Sequence, residues 1–241
     1  MSEALDAVAG RLAEVQERIA AACARVGRKA EEVTLVAVSK RQPLERVALA
    51  VKAGVRDLGE NYAQAIRERR PALEEMLDPE EARELRWHMI GGLQRNKARM
   101  VVPLVDTVES VDRESLAVEL DRRAAEAGRV LAVCLQVNVS GEDQKSGVAP
   151  EALPELHAAC AALPNLKVLG LMAVPAAGPD PEASRASFAQ LRALRDTLRS
   201  AAGGEGLDCL SMGMSGDFEV AIEEGATRVR VGTAIFGPRD S

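Results

Sequence analysis

The chain has 241 residues, 47% hydrophobic and 28% charged, which suits an ordinary globular protein built as one large α/β domain or two small ones. Its formal charge of −6 argues against general binding to nucleic acid or an acidic membrane surface, while leaving room for a local basic pocket. Cys23, Cys134, Cys160 and Cys209 form no metal-ligand spacing, no apolar run nears the roughly 18 residues that span a bilayer, and the acidic Ser2–Asp6 start is unlike a signal peptide, so a reducing cytoplasm is the expected compartment.

Leu5, Val8, Leu12, Val15, Ile19, Ala22 and Val26 recur at spacings of three and four, which predicts one apolar helical stripe ended by Gly27. A helix over residues 1–27 that covers its own domain is expected; a partner-binding heptad is the alternative. The chain then alternates. Val33–Val38 reads as a buried parallel strand, and Pro43 opens a helix through Ala53 that Gly54 caps. Val55–Leu58, Trp87–Ile90, Leu104–Val108, Val130–Val139, Lys167–Leu171, Leu207–Leu210 and Arg228–Val231 complete eight strands. Helical patterns over Glu60–Leu77, Leu93–Val101, Arg113–Ala127, Leu153–Leu163, Glu182–Ala202 and Phe218–Glu224 separate most of them. Eight such repeats predict a single (β/α)₈ barrel of TIM type over residues 1–241. A doubly wound open sheet is the rival, but no G-x-G-x-x-G follows the first strand.

In a barrel of this kind the chemistry sits at the C-terminal ends of the strands. The first strand runs into Ser39-Lys40-Arg41, where burial and a cationic neighbour would make the Lys40 amine a nucleophile toward carbonyls; a solvated strand-end lysine is the plainer reading. Ser211–Asp217 follows the seventh strand and Gly232–Gly237 the eighth, and small, hydroxyl-bearing loops at these two positions favour a phosphate. Period-two alternation puts Arg228 and Arg230 on one face and Val229 and Val231 on the other. Arg230 would then face the interior, where it needs an acceptor in an ion pair or a cofactor. Gly59–Tyr62, Trp87–Lys97 and Asn138–Gly147 also stand out; His88 alone would read as a structural histidine, and His157 falls on a predicted surface helix.

Taken together, the strings VAVSK (36–40), GENYAQ (59–64), WHMIGGLQRNK (87–97), NVSGEDQKSG (138–147), GLMAVP (170–175), SMGMSGD (211–217) and VRVGTAIFG (229–237) resemble the pyridoxal-phosphate homeostasis protein family, over essentially the full length and in order. Gly92 and Arg95 depart from the usual Gly-Pro-Leu-Gln-Ser-Asn-Lys form, and Gly216 replaces a common acidic residue. The resemblance implies a barrel like the N-terminal domain of alanine racemase, with pyridoxal 5′-phosphate held as a Schiff base on Lys40. It places Ser211, Met212, Ser215, Gly232 and Thr233 in the phosphate-binding segments and Arg230 at the pyridine nitrogen. Asn61 and His88 would line the pocket, and Lys145 falls where some members carry a lysine for secondary cofactor binding or transfer. No metal is implied.

The expectation that follows is a non-enzymatic holder of the cofactor, with apo-enzymes as potential recipients, acting as a monomer or a weak dimer. The rivals are an alanine-racemase-like enzyme acting on a small amino acid, and a pure interaction protein using the N-terminal helix. The racemase fold takes an opposing tyrosine from a second, C-terminal β-domain of a partner subunit. Here the sequence ends at Ser241, shortly after Gly232, so such a domain is not expected.

Overall fold

The computed structural model describes residues 3–142, 146–175, 180–201 and 204–237. Lys145 lies outside them.

Eight parallel strands close into a barrel in simple sequential order: β1 Thr34–Val38, β2 Asp57–Glu60, β3 Arg86–Met89, β4 Thr107–Val111, β5 Leu131–Gln136, β6 Leu166–Met172, β7 Cys209–Met214 and β8 Arg228–Val231. The (β/α)₈ expectation holds, and the open sheet is excluded because β8 pairs back onto β1. The connecting helices are α2 Leu44–Lys52, α3 Ala63–Glu74, α4 Pro79–Glu84, α5 Ala98–Val101, α6 Glu114–Glu126, α7 Leu153–Ala161, α8 Arg185–Ser200 and α9 Phe218–Glu223. An additional helix, α1 Glu3–Arg25, precedes the barrel, and a short one, α10 Thr233–Phe236, follows β8.

The strand core is aliphatic because the sequence offers few aromatics: Val36, Leu58, Val108, Val133, Leu171 and Val229 are all fully buried. α1 buries Val8, Leu12, Val15, Ile19 and Ala22, the predicted stripe except its ends, together with Cys23, and packs on α2, α9 and α10. Gly27 takes a φ of 69°, and the Arg28 N–H returns to the Cys23 carbonyl, as a left-handed helix stop requires. Arg11 of α1 donates to the Ile235 carbonyl at 2.8 Å, so the covering helix also holds the segment just after β8.

Several strands begin later than their sequence pattern suggests. Val55 and Arg56 lead into β2, and Leu104 belongs to a 3₁₀ turn ahead of β4. β7 extends through Met214, deep into the segment read as a loop. His157 is 8% exposed, on the inner face of α7 rather than on its surface, since the helix packs on β6 with that face.

Candidate functional site

β1 ends in a turn. The Gln42 N–H donates to the Ser39 carbonyl across Lys40 and Arg41, and Arg41 takes a φ of 59°, alone among the described non-glycine residues in being left-handed. Lys40 is half-buried here and lines a cavity of about 310 Å³ at the C-terminal mouth of the barrel. The register of β1 on β8, with Ala37 opposite Val231, brings the turn beside Gly232 and Thr233. Asn61, Ile90, Val174, Met214, Ser215, Gly216 and Arg230 line the same cavity.

The loops after β7 and β8 are tied together, because the Gly232 N–H donates to Ser215 Oγ at 3.2 Å. α10 starts at Thr233, and the first N–H groups of a helix have no partner inside it. Hydroxyls and backbone donors thus converge on one wall. On another, Asn61 Oδ1 is buried without a hydrogen bond, a costly state that a bound ligand would relieve. Gly91 lies against Asn61: a Cβ there would sit 2.2 Å from the Asn61 carbonyl oxygen, so only glycine lets the two loops approach.

Behind the cavity, the barrel interior holds a charged chain. Arg86 binds Asp57 through two bonds of 2.8 and 2.6 Å. His88 joins Asp57 at Nε2 and Glu109 at Nδ1, both at 2.9 Å. Glu109 also takes Arg228 Nη1 at 3.0 Å and the Ser211 hydroxyl at 2.5 Å. Arg230, 3% exposed, donates to Ser211 Oγ at 2.6 Å and to the Ala173 carbonyl at 2.8 Å.

Burial would lower the His88 pKa, but its bonds to the two carboxylates outweigh this and raise it. Burial would likewise raise Asp57 and Glu109. Hydrogen bonds from Arg86 and His88 hold Asp57 at about 2, and His88 with Arg228 pulls Glu109 well below the carboxylate range. Burial lowers the pKa of Arg230, against the pull of Glu109. Asp57 and Glu109 thus engage Arg86, His88 and Arg228 directly, and Glu109 reaches Arg230 through Ser211.

The alanine racemase N-terminal domain family model matches residues 12–240. A pyridoxal phosphate homeostasis protein of Pseudomonas aeruginosa is 45% identical over 98% of this chain and 97% of its own, and that of Aquifex aeolicus is 44% identical over 95% and 97%. The chain belongs to the pyridoxal phosphate homeostasis protein family. PipY of Synechococcus elongatus, whose structure is known with PLP bound, superposes at a TM-score of 0.83 with 36% identity, over 95% of this chain and all of its own.

Of the residues that the resemblance implies, the fold brings Lys40, Asn61, Ser215, Arg230, Gly232 and Thr233 to one cavity. Ser211 and Met212 are fully buried and do not line it; the Ser211 hydroxyl is engaged between Glu109 and Arg230. His88 is equally withdrawn, three hydrogen bonds behind Arg230. Asp57 and Glu109 escaped the sequence reading. Both are carboxylates within strands of the barrel, the signal that could have found them, since a buried charge demands a partner.

Proposed function

We propose that the chain binds pyridoxal 5′-phosphate as a Schiff base on Lys40 and serves intracellular homeostasis of that cofactor without conventional turnover. The observation that carries this reading is that one cavity gathers a lysine, a buried arginine and two hydroxyl-bearing loops. The names of the relatives and the ligand of PipY point the same way. The residues fit the group. Ser215, Gly216, Gly232 and Thr233 would hold the phosphate by hydroxyls and helix-start N–H groups. The orphaned Asn61 Oδ1 offers an acceptor to a ring substituent.

When bound, the cofactor supplies an aldehyde and an electron-withdrawing ring. Arg230 sets a limit on the second. Its guanidinium, held by Ser211 and the Ala173 carbonyl, presents a fixed positive charge, and a protonated ring nitrogen beside it would place two cations together in a site shielded from water. Carbanion chemistry is disfavoured accordingly. Residues 1–241 would act as one domain in the cytoplasm, passing cofactor to apo-enzymes, as a monomer or weak dimer. Lys145 would serve as a secondary cofactor contact.

The deciding experiment combines two measurements on one sample: the visible spectrum of the purified protein with pyridoxal phosphate, and amino-acid racemisation. We expect a Schiff-base absorption without turnover. Absence of the absorption would remove the cofactor reading; absorption with enzymatic turnover would favour the racemase-like alternative.

A further inference from the structure

The turn that carries Lys40 is held from outside the cavity. Arg69, on α3, directs Nη2 at both ends of it, donating to the Ser39 carbonyl at 3.3 Å and the Gln42 carbonyl at 2.8 Å. Its Nε lies 3.1 Å from Glu60 Oε1 in an ion pair without hydrogen-bond geometry, and the same carboxylate oxygen accepts the Ser39 hydroxyl at 2.8 Å. Glu60 is 1% exposed, so this carboxylate is fixed in the core and anchors the guanidinium. Between the two clamped carbonyls lies Arg41, whose left-handed backbone is disfavoured for a residue with a Cβ. Positive φ at the third residue of a turn is the place where glycine is usual. A strained conformation persists only where its surroundings over-determine it. Neither Arg69 nor Glu60 lines the cavity.

We propose that Arg69 is a positioning residue for Lys40: clamped on Glu60, it holds the Ser39–Gln42 turn in its strained form and so aims the amine at the aldehyde carbon of the bound cofactor. The inference rests on the cofactor reading above. In the step it assists, Lys40 Nζ forms a double bond to the aldehyde carbon. Water leaves with the carbonyl oxygen and two of the three ammonium hydrogens, and the imine nitrogen keeps the third. Without the clamp the turn would relax toward negative φ at Arg41, and the amine would swing off the carbonyl while the phosphate loops stayed in place.

The test compares two probes, pyridoxal 5′-phosphate and pyridoxine 5′-phosphate, which carries an alcohol in place of the aldehyde and forms no imine. Arg69→Ala should weaken retention of the aldehyde by about tenfold, the size of a left-handed penalty left unsupported. Affinity for the alcohol should be unchanged. Arg41→Gly in the Arg69→Ala background should restore the aldehyde, because glycine adopts positive φ without strain. If Arg69→Ala does not fold, Arg69→Gln, which keeps one donor, is measured in its place with the same expectation. Equal loss of both probes, undiminished aldehyde retention, or no rescue by Arg41→Gly would each overturn the clamp. Failure of the cofactor reading is separate: the unmutated protein would then give no borohydride-trapped label at all.

Discussion

Ser211 stands between Glu109 and Arg230, its hydroxyl donating a hydrogen bond to the carboxylate at 2.5 Å and accepting one from the guanidinium at 2.6 Å. One hydroxyl thus satisfies an anion and a cation that are both buried. Ser211→Ala would leave each short of a partner, at a cost of roughly 1–3 kcal/mol for the stranded groups. The expected result is a lower midpoint in urea unfolding with unchanged affinity for pyridoxine 5′-phosphate. A folded variant of full stability that had lost the alcohol probe would instead put Ser211 on the phosphate.

Lys40→Ala should abolish covalent attachment of the cofactor, since an imine needs a primary amine at the carbonyl and, among the described residues, Lys40 is the lysine lining the cavity. Borohydride reduction and peptide mapping of the unmutated protein should place the label on the peptide containing Lys40. A label on Lys145 alone would contradict the assignment.

The strand order and the cavity wall were legible in the sequence for a physical reason. Parallel strands buried on both faces read as apolar runs, and β1 is the clearest of these, with Lys40 shortly after it, while β8 leads straight into Gly232 and Thr233. Alternation of Arg228 and Arg230 with two valines likewise put both arginines inside, where each now meets Glu109 or Ser211. What spacing did not reveal was which partners they meet. Glu109 is on β4 and Arg228 on β8, and only closure of the barrel lets them touch. The same holds for Arg69, whose role depends on α3 folding back over the end of β1. β7 was misjudged because its glycine- and serine-rich end, Ser211–Met214, has loop composition yet continues the strand.

Stability should fall in acid. Asp57 has a pKa of about 2 in the folded protein against an ordinary 3.8, so its contribution is full above pH 4 and is lost as pH falls toward 2. The shift corresponds to roughly 2 kcal/mol. Glu109, lowered in the same direction, adds to the same limb. Urea unfolding from pH 5 down to about pH 2, the range that spans the ordinary and the lowered values of Asp57, should show this slope, and Asp57→Asn should flatten it. A slope identical in the variant would mean that other carboxylates govern the acid limb.

Ser215→Ala combined with Thr233→Ala should weaken cofactor retention while the barrel stays folded. Hydrogen bonds to a charged group contribute roughly 1.5–3 kcal/mol each, and backbone donors at the start of α10 would make up part of the loss. Equilibrium dialysis against pyridoxal phosphate should therefore show a decrease of one to several orders of magnitude, about 1.4 kcal/mol for each. Unaltered retention would place the phosphate elsewhere.

Racemase turnover should be negligible even in the fully loaded protein. Removing a proton from one face of an α-carbon and returning it to the other needs an acid–base group on each side. Among the described residues that line the cavity, Lys40 and Arg230 are the ionisable ones, and an arginine is a poor proton shuttle because its guanidinium stays charged. The single tyrosine, Tyr62, is the residue just ahead of α3; it is 61% exposed and does not line the cavity, so it does not oppose Lys40 across a substrate. On the proposed reading Arg230 would add a second obstacle, by disfavouring protonation of the ring nitrogen and so weakening the electron sink. Incubation with D- and L-alanine followed by chiral chromatography should show no interconversion above the rate given by free cofactor. Turnover of roughly 1–10³ s⁻¹, typical of enzymes, and lost in Lys40→Ala, would mean that a second acid–base group reaches the substrate by a movement of the loops around the cavity.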